Sequence, residues 1–186
     1  MTKRLLDLSL LIIGSPILLI LFIKIFFLSL IINKKKIFFF QIRGGYKGTK
    51  IKIIKFRTME PRTKKINKFN MILRKSHLDE IPQFWSILTG ELSIVGPRPL
   101  FYNYKKFYNQ FQYKRFDVKP GLTGLTQIST TEKTSWKRKF EIDVWYTKNN
   151  NLMIDILIIL KTARVVLFSF FNKKKLIEKE KFNGRN

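Results

Sequence analysis

The chain has 186 residues, enough for one domain, with 37 Lys plus Arg against 12 Asp plus Glu and a formal charge of +25. Without cysteine and with one histidine, His77, it excludes disulfides, thiolate metal sites and multi-histidine zinc sites. The charge implies a polyanionic companion: nucleic acid, an anionic membrane surface or phosphorylated substrates.

The first predicted element is the apolar run LLDLSLLIIGSPILLILFIKIFFLSLII, residues 5–32. As a helix it rises roughly 42 Å, more than the roughly 30 Å hydrocarbon core of a bilayer. Pro16 has no N–H, so the Ile12 carbonyl loses its helical donor; the Ser15 hydroxyl is placed to replace it. MTKR precedes the run and NKKK follows it, so positive-inside bias holds both ends on the cytoplasmic side. Residues 1–33 are therefore expected to form a re-entrant helix hairpin broken at Ser15 and Pro16, with a single-pass anchor as the alternative. No small-x-small site ends the run, which argues against a cleaved signal peptide.

IFFFQI (37–42) and IKIIKF (51–56) flank the turn-rich RGGYKGTK and predict a β-hairpin. The glycine spacing of that turn does not match a nucleotide-binding loop. Residues 60–70 read as a polar, basic loop. In LDEIPQFWSILTG, Ile81, Phe84, Trp85 and Leu88 share one helical face, Pro82 belongs in a first turn and Gly90 stops the helix. Asp79 and Glu80 thus fall at a helix N-terminus, where N–H groups and the dipole favour anions. This local pattern fits a cap with a first-turn acid as well as a catalytic pair. The lone His77 reads as an ordinary surface or core residue.

In SIVGPRPL, Arg98 stands between two prolines, a stiff turn suited to presenting a guanidinium to phosphate, or simply to structure. FYNYKKFYNQFQYKRF (101–116) puts Tyr104, Phe107, Tyr108 and Phe111 on one helical face. That pattern suits an interfacial helix, stacking on single-stranded nucleic acid, or core packing. KPGLTGLTQ is turn-rich, TSWKRKFEIDVWY is helical, and NLMIDILIILKTARVVLFSFF is a packed or interfacial helix with Asp155, Thr162 and Ser169 in a polar stripe. Residues 175–186 are a charged tail. There are no internal repeats.

KRLLD, Ser15-Pro16, KFRTM, LDEIPQ, GELSIVGPRPL, KPGLTG and EKFNGRN occur in an order and spacing that resembles the monotopic phosphoglycosyl transferases, nearly end to end. These bacterial sugar transferases start glycan assembly on a polyprenol carrier. Within the family the chain is most similar to the small bacillosamine-type undecaprenyl phosphate enzymes, whose tails carry a like Phe-Asn-Gly sequence. The resemblance implies that Asp79 attacks the β-phosphate of a UDP-sugar, with Glu80 as its partner. UMP is expelled, and polyprenol phosphate takes the sugar phosphate from the enzyme. It also implies Mg²⁺ at Asp79 and Glu80, and phosphate binding by Arg74, Arg98 and, more weakly, Arg57.

The sequence departs from the family at Ser86, where Asn is frequent, at Leu125, where Trp is common, and at Ser129-Thr130-Thr131, where Asn-Gly-Arg is frequent. These departures bear on sugar identity more than on reaction type.

The expected architecture is α/β (α+β): the re-entrant helix (1–33), a catalytic domain with a small β-hairpin and amphipathic interfacial helices (34–174), and the tail (175–186). The expected substrates are a UDP-sugar, N-acetylated by analogy, and polyprenol phosphate, at the cytoplasmic face of a bacterial inner membrane with anionic lipids nearby. A membrane-tethered nucleic-acid binder and an inactive family scaffold are the competing readings; the first leaves Asp79-Glu80 and GPRP without a purpose, so no nucleic acid is expected.

Overall fold

The computed structural model describes residues 2–33, 36–61, 63, 65–131, 133–171 and 182–184, and the side chains of 169–171 are outside it, Ser169 of the polar stripe included. Most of the expected 175–186 tail also lies outside the described residues.

Helix α1 (Thr2–Ile32) runs through Pro16 as one 31-residue helix, so the break expected at Ser15 and Pro16 to make residues 1–33 a helix hairpin is not formed. Ser15 Oγ donates to Ile12 O at 2.8 Å, so the carbonyl deprived by the proline recovers a donor inside the same turn. The middle of α1 is bare, with Ile12, Ile13, Ile17, Leu19 and Ile20 all exposed.

Both ends of α1 are fastened to the rest of the chain. At the C-terminal end, Ile25 joins a core with Phe56, Leu73 and Ile81. Asn33 Nδ2 donates to Arg57 O at 3.0 Å, and Asn70 Nδ2 donates to Asn33 Oδ1 at 2.9 Å. At the N-terminal end the KRLLD residues act as three clamps. Lys3 Nζ donates to Asp155 Oδ2 at 2.5 Å and to the Tyr146 hydroxyl at 2.9 Å. Arg4 caps two carbonyls, Ile87 O and Leu88 O, at 2.5 and 2.7 Å. Buried Asp7 accepts from Ser93 Oγ at 3.0 Å and Ile94 N at 2.9 Å.

The expected hairpin is β1 (Phe38–Gly44) paired antiparallel with β2 (Lys50–Phe56), Phe38 opposite Phe56 and Gly44 opposite Lys50. Alternation sends Ile51 and Ile53 into the core. Helix α2 (Lys68–Lys75) leads to a 3₁₀ turn, Leu78–Gln83, and then a short helix α3 (Phe84–Leu88). The single helix expected from Asp79 to Gly90 is therefore split. Pro82 offers no N–H, and the tighter turn around it accommodates the loss.

Strands β3 (Ser93–Val95) and β4 (Gly121–Thr123) pair in parallel. They bring VGPRP against KPGLTG with no room for side chains: a Cβ on Gly121 would stand 2.0 Å from Gly96 N, and one on Gly124 2.1 Å from Gly96 O. The glycines of both motifs are required by this backbone contact.

The segment 101–116 is not the one amphipathic helix its spacing predicts. It consists of a 3₁₀ stretch Tyr102–Phe107, an extended Tyr108, helix α4 (Gln110–Tyr113) and a second 3₁₀ turn Lys114–Asp117. A capping box between Asn109 and Gln112 restarts the helix at a new angle. Half-buried Tyr104 and Tyr108, and Phe107 at the exposed edge, meet Phe182 from the C-terminal segment. Phe182 also touches the Trp136 and Phe140 rings of α6 (Trp136–Asn149) and is 3% exposed. Between β4 and α6 lies the short helix α5 (Leu125–Ser129), and α7 (Leu152–Phe171) follows α6. On α7, Asp155 and Thr162 of the polar stripe face the protein, Thr162 Oγ1 lying 2.7 Å from Thr123 Oγ1. Leu157, Leu160, Leu167 and Phe168 remain exposed.

Candidate active site

The hairpin, the 3₁₀ turn and the VGPRP loop converge on a small open cleft. Arg43 of β1, Lys55 of β2, Glu80 and Gln83 of the 3₁₀ turn, and Arg98 line it. Strand alternation accounts for the first two. Arg43 pairs with Ile51, and Lys55 follows Ile51 and Ile53 at two-residue steps, so both point with the core face of the hairpin.

Asp79 and Glu80 are both buried, on a turn whose cap is His77, held at φ 57° and offering no side-chain cap. Asp79 is therefore not a helix cap. The two carboxylates are also driven apart. Burial and then the charge of Glu80 raise Asp79 from 3.8 to about 6, against the pull of Lys55, Arg74 and Arg98. Burial pushes Glu80 upward as well, but Arg98 and Lys55 outweigh it and hold Glu80 at about 2. Lys55 Nζ donates to Glu80 Oε1, and Arg98 Nη2 reaches the same oxygen at 3.2 Å.

Arg98 is presented by a turn in which four successive carbonyls are tied. Pro97 O accepts from Gly121 N at 3.1 Å, Arg98 O from Arg115 Nη2 at 2.7 Å, Pro99 O from Arg43 Nη1 at 3.3 Å, and Leu100 O from Gly44 N at 2.9 Å. Arg115 is buried and pairs through Nε (3.1 Å) and Nη2 (2.8 Å) with Asp143 Oδ2, while Asp143 Oδ1 accepts from Thr126 Oγ1 at 2.5 Å. Buried ion–dipole chains of this kind fix orientation.

Of the sequence candidates, Asp79, Glu80 and Arg98 come together, and Arg74, in the last turn of α2, acts on Asp79 through its charge. Arg57 lies elsewhere. It closes the base of the hairpin, Nη2 on Phe38 O at 2.9 Å, and does not line the cleft. Arg43, Lys55, Gln83 and Arg115 were missed. For Lys55 a signal existed: a lysine in step with two buried isoleucines on one strand. His77 shapes the turn with its left-handed backbone.

Among the described residues no cluster of three or more His, Asp or Glu side chains is arranged to hold a metal. Two adjacent buried carboxylates, one raised toward neutrality, nevertheless form a donor set that a divalent cation would relieve. Mg²⁺ takes one or two carboxylates and completes its shell with water and substrate phosphate.

Residues 1–169 match the family described as bacterial sugar transferase, and the chain belongs to that family. It is 38% identical over 159 residues to a protein of Bacillus subtilis named uncharacterized sugar transferase EpsL, covering 80% of this chain and 79% of that one. It is 30% identical over 200 residues to the exopolysaccharide production protein ExoY of Rhizobium meliloti, covering 91% and 87%. A UDP-glucose:undecaprenyl-phosphate glucose-1-phosphate transferase of Xanthomonas campestris is 36% identical over 153 residues, 70% of this chain, which spans only 31% of that longer protein.

Proposed function

We propose that this member of the bacterial sugar transferase family moves a sugar 1-phosphate from a UDP-sugar to polyprenol phosphate, with Asp79 as the nucleophile. The observation that carries the reading is the split of the two acids: Asp79 buried among cations and without a cap to form, Glu80 locked ionised by Lys55 and Arg98. A carboxylate can attack phosphorus to give an acyl phosphate. Its obstacle is the charge of the diphosphate, which Arg98, Arg74, Lys55 and Arg43 offset. Glu80 orients Lys55 and Arg98 toward that charge. Asp79 and Glu80 would hold Mg²⁺, which when bound supplies Lewis-acid neutralisation of the phosphate oxygens.

The protein is membrane-associated through its long apolar helix. Both ends of α1 are fastened to the same catalytic domain, Lys3 to Asp155 and Asn33 to Arg57, while its bare middle dips into lipid. That arrangement supports a re-entrant, monotopic seat on the cytoplasmic face of the inner membrane, where the chain's charge of +25 favours anionic headgroups. The cleft would then meet the phosphate of a polyprenol at headgroup depth.

The test is UMP release by the full chain in lipid nanodiscs with Mg²⁺, undecaprenyl phosphate and a panel of UDP-sugars. The panel includes glucose and galactose, and N-acetylated sugars by analogy with the Phe-Asn-Gly tail. Lipid-dependent release that is lost in Asp79→Asn supports the reading; full activity in that variant overturns it.

A further inference from the structure

The ion pairs do not exhaust the cleft. Gln83 lines it, is 4% exposed, and its buried Nε2 has no acceptor. A buried donor left unpaired is a cost that a ligand oxygen would repay. On the same lining, the Arg43 guanidinium lies 4.0 Å from the Phe101 ring and donates to Pro99 O and to Gln41 Oε1. No carboxylate is in ion-pair contact with it among the described residues. Arg43, Lys55 and Arg98 thus face one acid, Glu80, a local surplus of two positive charges. Asp79 does not line this space, so an anion seated here does not rest on the nucleophile itself.

What that anion is follows from the proposed chemistry, on which this inference rests. In the first half-reaction an Asp79 oxygen bonds to the β-phosphorus as the bond from that phosphorus to the bridging oxygen breaks. UMP departs with the oxygen and the electron pair. In the second, a phosphate oxygen of polyprenol phosphate bonds to the same phosphorus and the Asp79 O–P bond breaks, returning the carboxylate. Each displacement is in line, so the leaving and entering groups both stand opposite Asp79. Both are phosphate monoesters, carrying about −1.5 to −2 charge near pH 7, which matches the surplus.

We propose that Arg43 and Gln83 form one shared seat for a phosphate monoester, occupied first by the departing UMP phosphate and then by polyprenol phosphate. Gln83 Nε2 donates to a phosphate oxygen, and Arg43, braced on Phe101, supplies the fork and the charge.

The test uses the full chain in nanodiscs with Gln83→Leu, Arg43→Met and the milder Arg43→Lys, all compared at matched unfolding temperature. Titration calorimetry with UMP and with uridine reads the seat without turnover. The expected result is weaker UMP binding, about tenfold for Gln83→Leu and more for Arg43→Met, with uridine binding unmoved. In steady state, KM for donor and for polyprenol phosphate should rise together, and UMP should compete with polyprenol phosphate. Unchanged UMP affinity in variants that fold overturns the seat. So does a rise in donor KM alone, or UMP inhibition that is not competitive with the lipid. A failed transfer reading shows itself separately, as activity that survives Asp79→Asn.

Discussion

Arg115 Nη2 donates to the main-chain oxygen of Arg98 at 2.7 Å while Nε and the same Nη2 donate to Asp143, so the turn that presents one cleft cation is pinned by another cation that never reaches the cleft. Breaking a buried pair from one side costs about 3–5 kcal/mol, whereas replacing both partners with apolar residues is often neutral. Arg115→Met alone is therefore expected to unfold readily. The double variant Arg115→Met/Asp143→Leu should recover most of that stability yet keep a donor KM raised about tenfold, because Arg98 O stays untethered. Thermal unfolding together with kinetics on both variants checks this; a donor KM restored along with stability would make the pair purely structural.

Asp79 is held above its ordinary range, so the folded protein disfavours its ionised form. Asp79→Asn should abolish transfer and at the same time stabilise the Mg²⁺-free protein by about 1–3 kcal/mol near pH 7.5. Loss of a helix cap would instead destabilise by about 0.5–2 kcal/mol. Denaturant melts without metal distinguish the two by sign.

The pH dependence follows from the same shift. A raised carboxyl binds its proton more tightly in the folded state, so its ionisation costs stability progressively as pH rises from 3.8 to about 6. The stabilisation by Asp79→Asn should accordingly vanish below the lower value. With Asp79 as the proposed nucleophile, metal-free formation of a phosphosugar adduct on it should weaken as pH falls through about 6, and Glu80, near 2, should add no second limb above pH 4.

Phe182 fills a cage of Tyr104, Phe107, Tyr108, Trp136 and Phe140. Phe182→Ala should cost about 3–5 kcal/mol, with Phe182→Leu far milder. A change below 1 kcal/mol by chemical denaturation would show that the C-terminal residues are dispensable for the fold.

Topology is directly testable because the chain has no cysteine. Thr2→Cys and Lys36→Cys are exposed positions at the two ends of α1. In inverted vesicles an impermeant maleimide should label both. Labelling of one only would establish a span.

Elements set by local pattern were legible: the hairpin, α6, α7 and the Ser15 repair at Pro16. The segment 101–116 was misread because its aromatic spacing fits a helix, although the Asn109-Gln112 capping box lies within it and marks a restart. The site was legible only in part. Asp79, Glu80 and Arg98 come from motifs, but Arg43 and Lys55 reach the cleft through strand pairing, and Arg115 works through a backbone oxygen. Such relations depend on contacts between residues far apart in the chain, which no local window contains.

The clamps on α1 have a consequence for biosynthesis. Lys3 and its partner Asp155 are 152 residues apart, and Asp7 and Ile94 are 87 apart. At about 5–20 residues per second, synthesis passes the end of the first helix roughly 6–25 s before its last clamp exists. On the proposed membrane seat, the bilayer alone holds the helix during that interval, with Lys3, Arg4 and Asp7 waiting in water or among headgroups. On that proposed seat, the rest of the chain then closes onto an anchor already in place, and the cleft is assembled at the membrane surface.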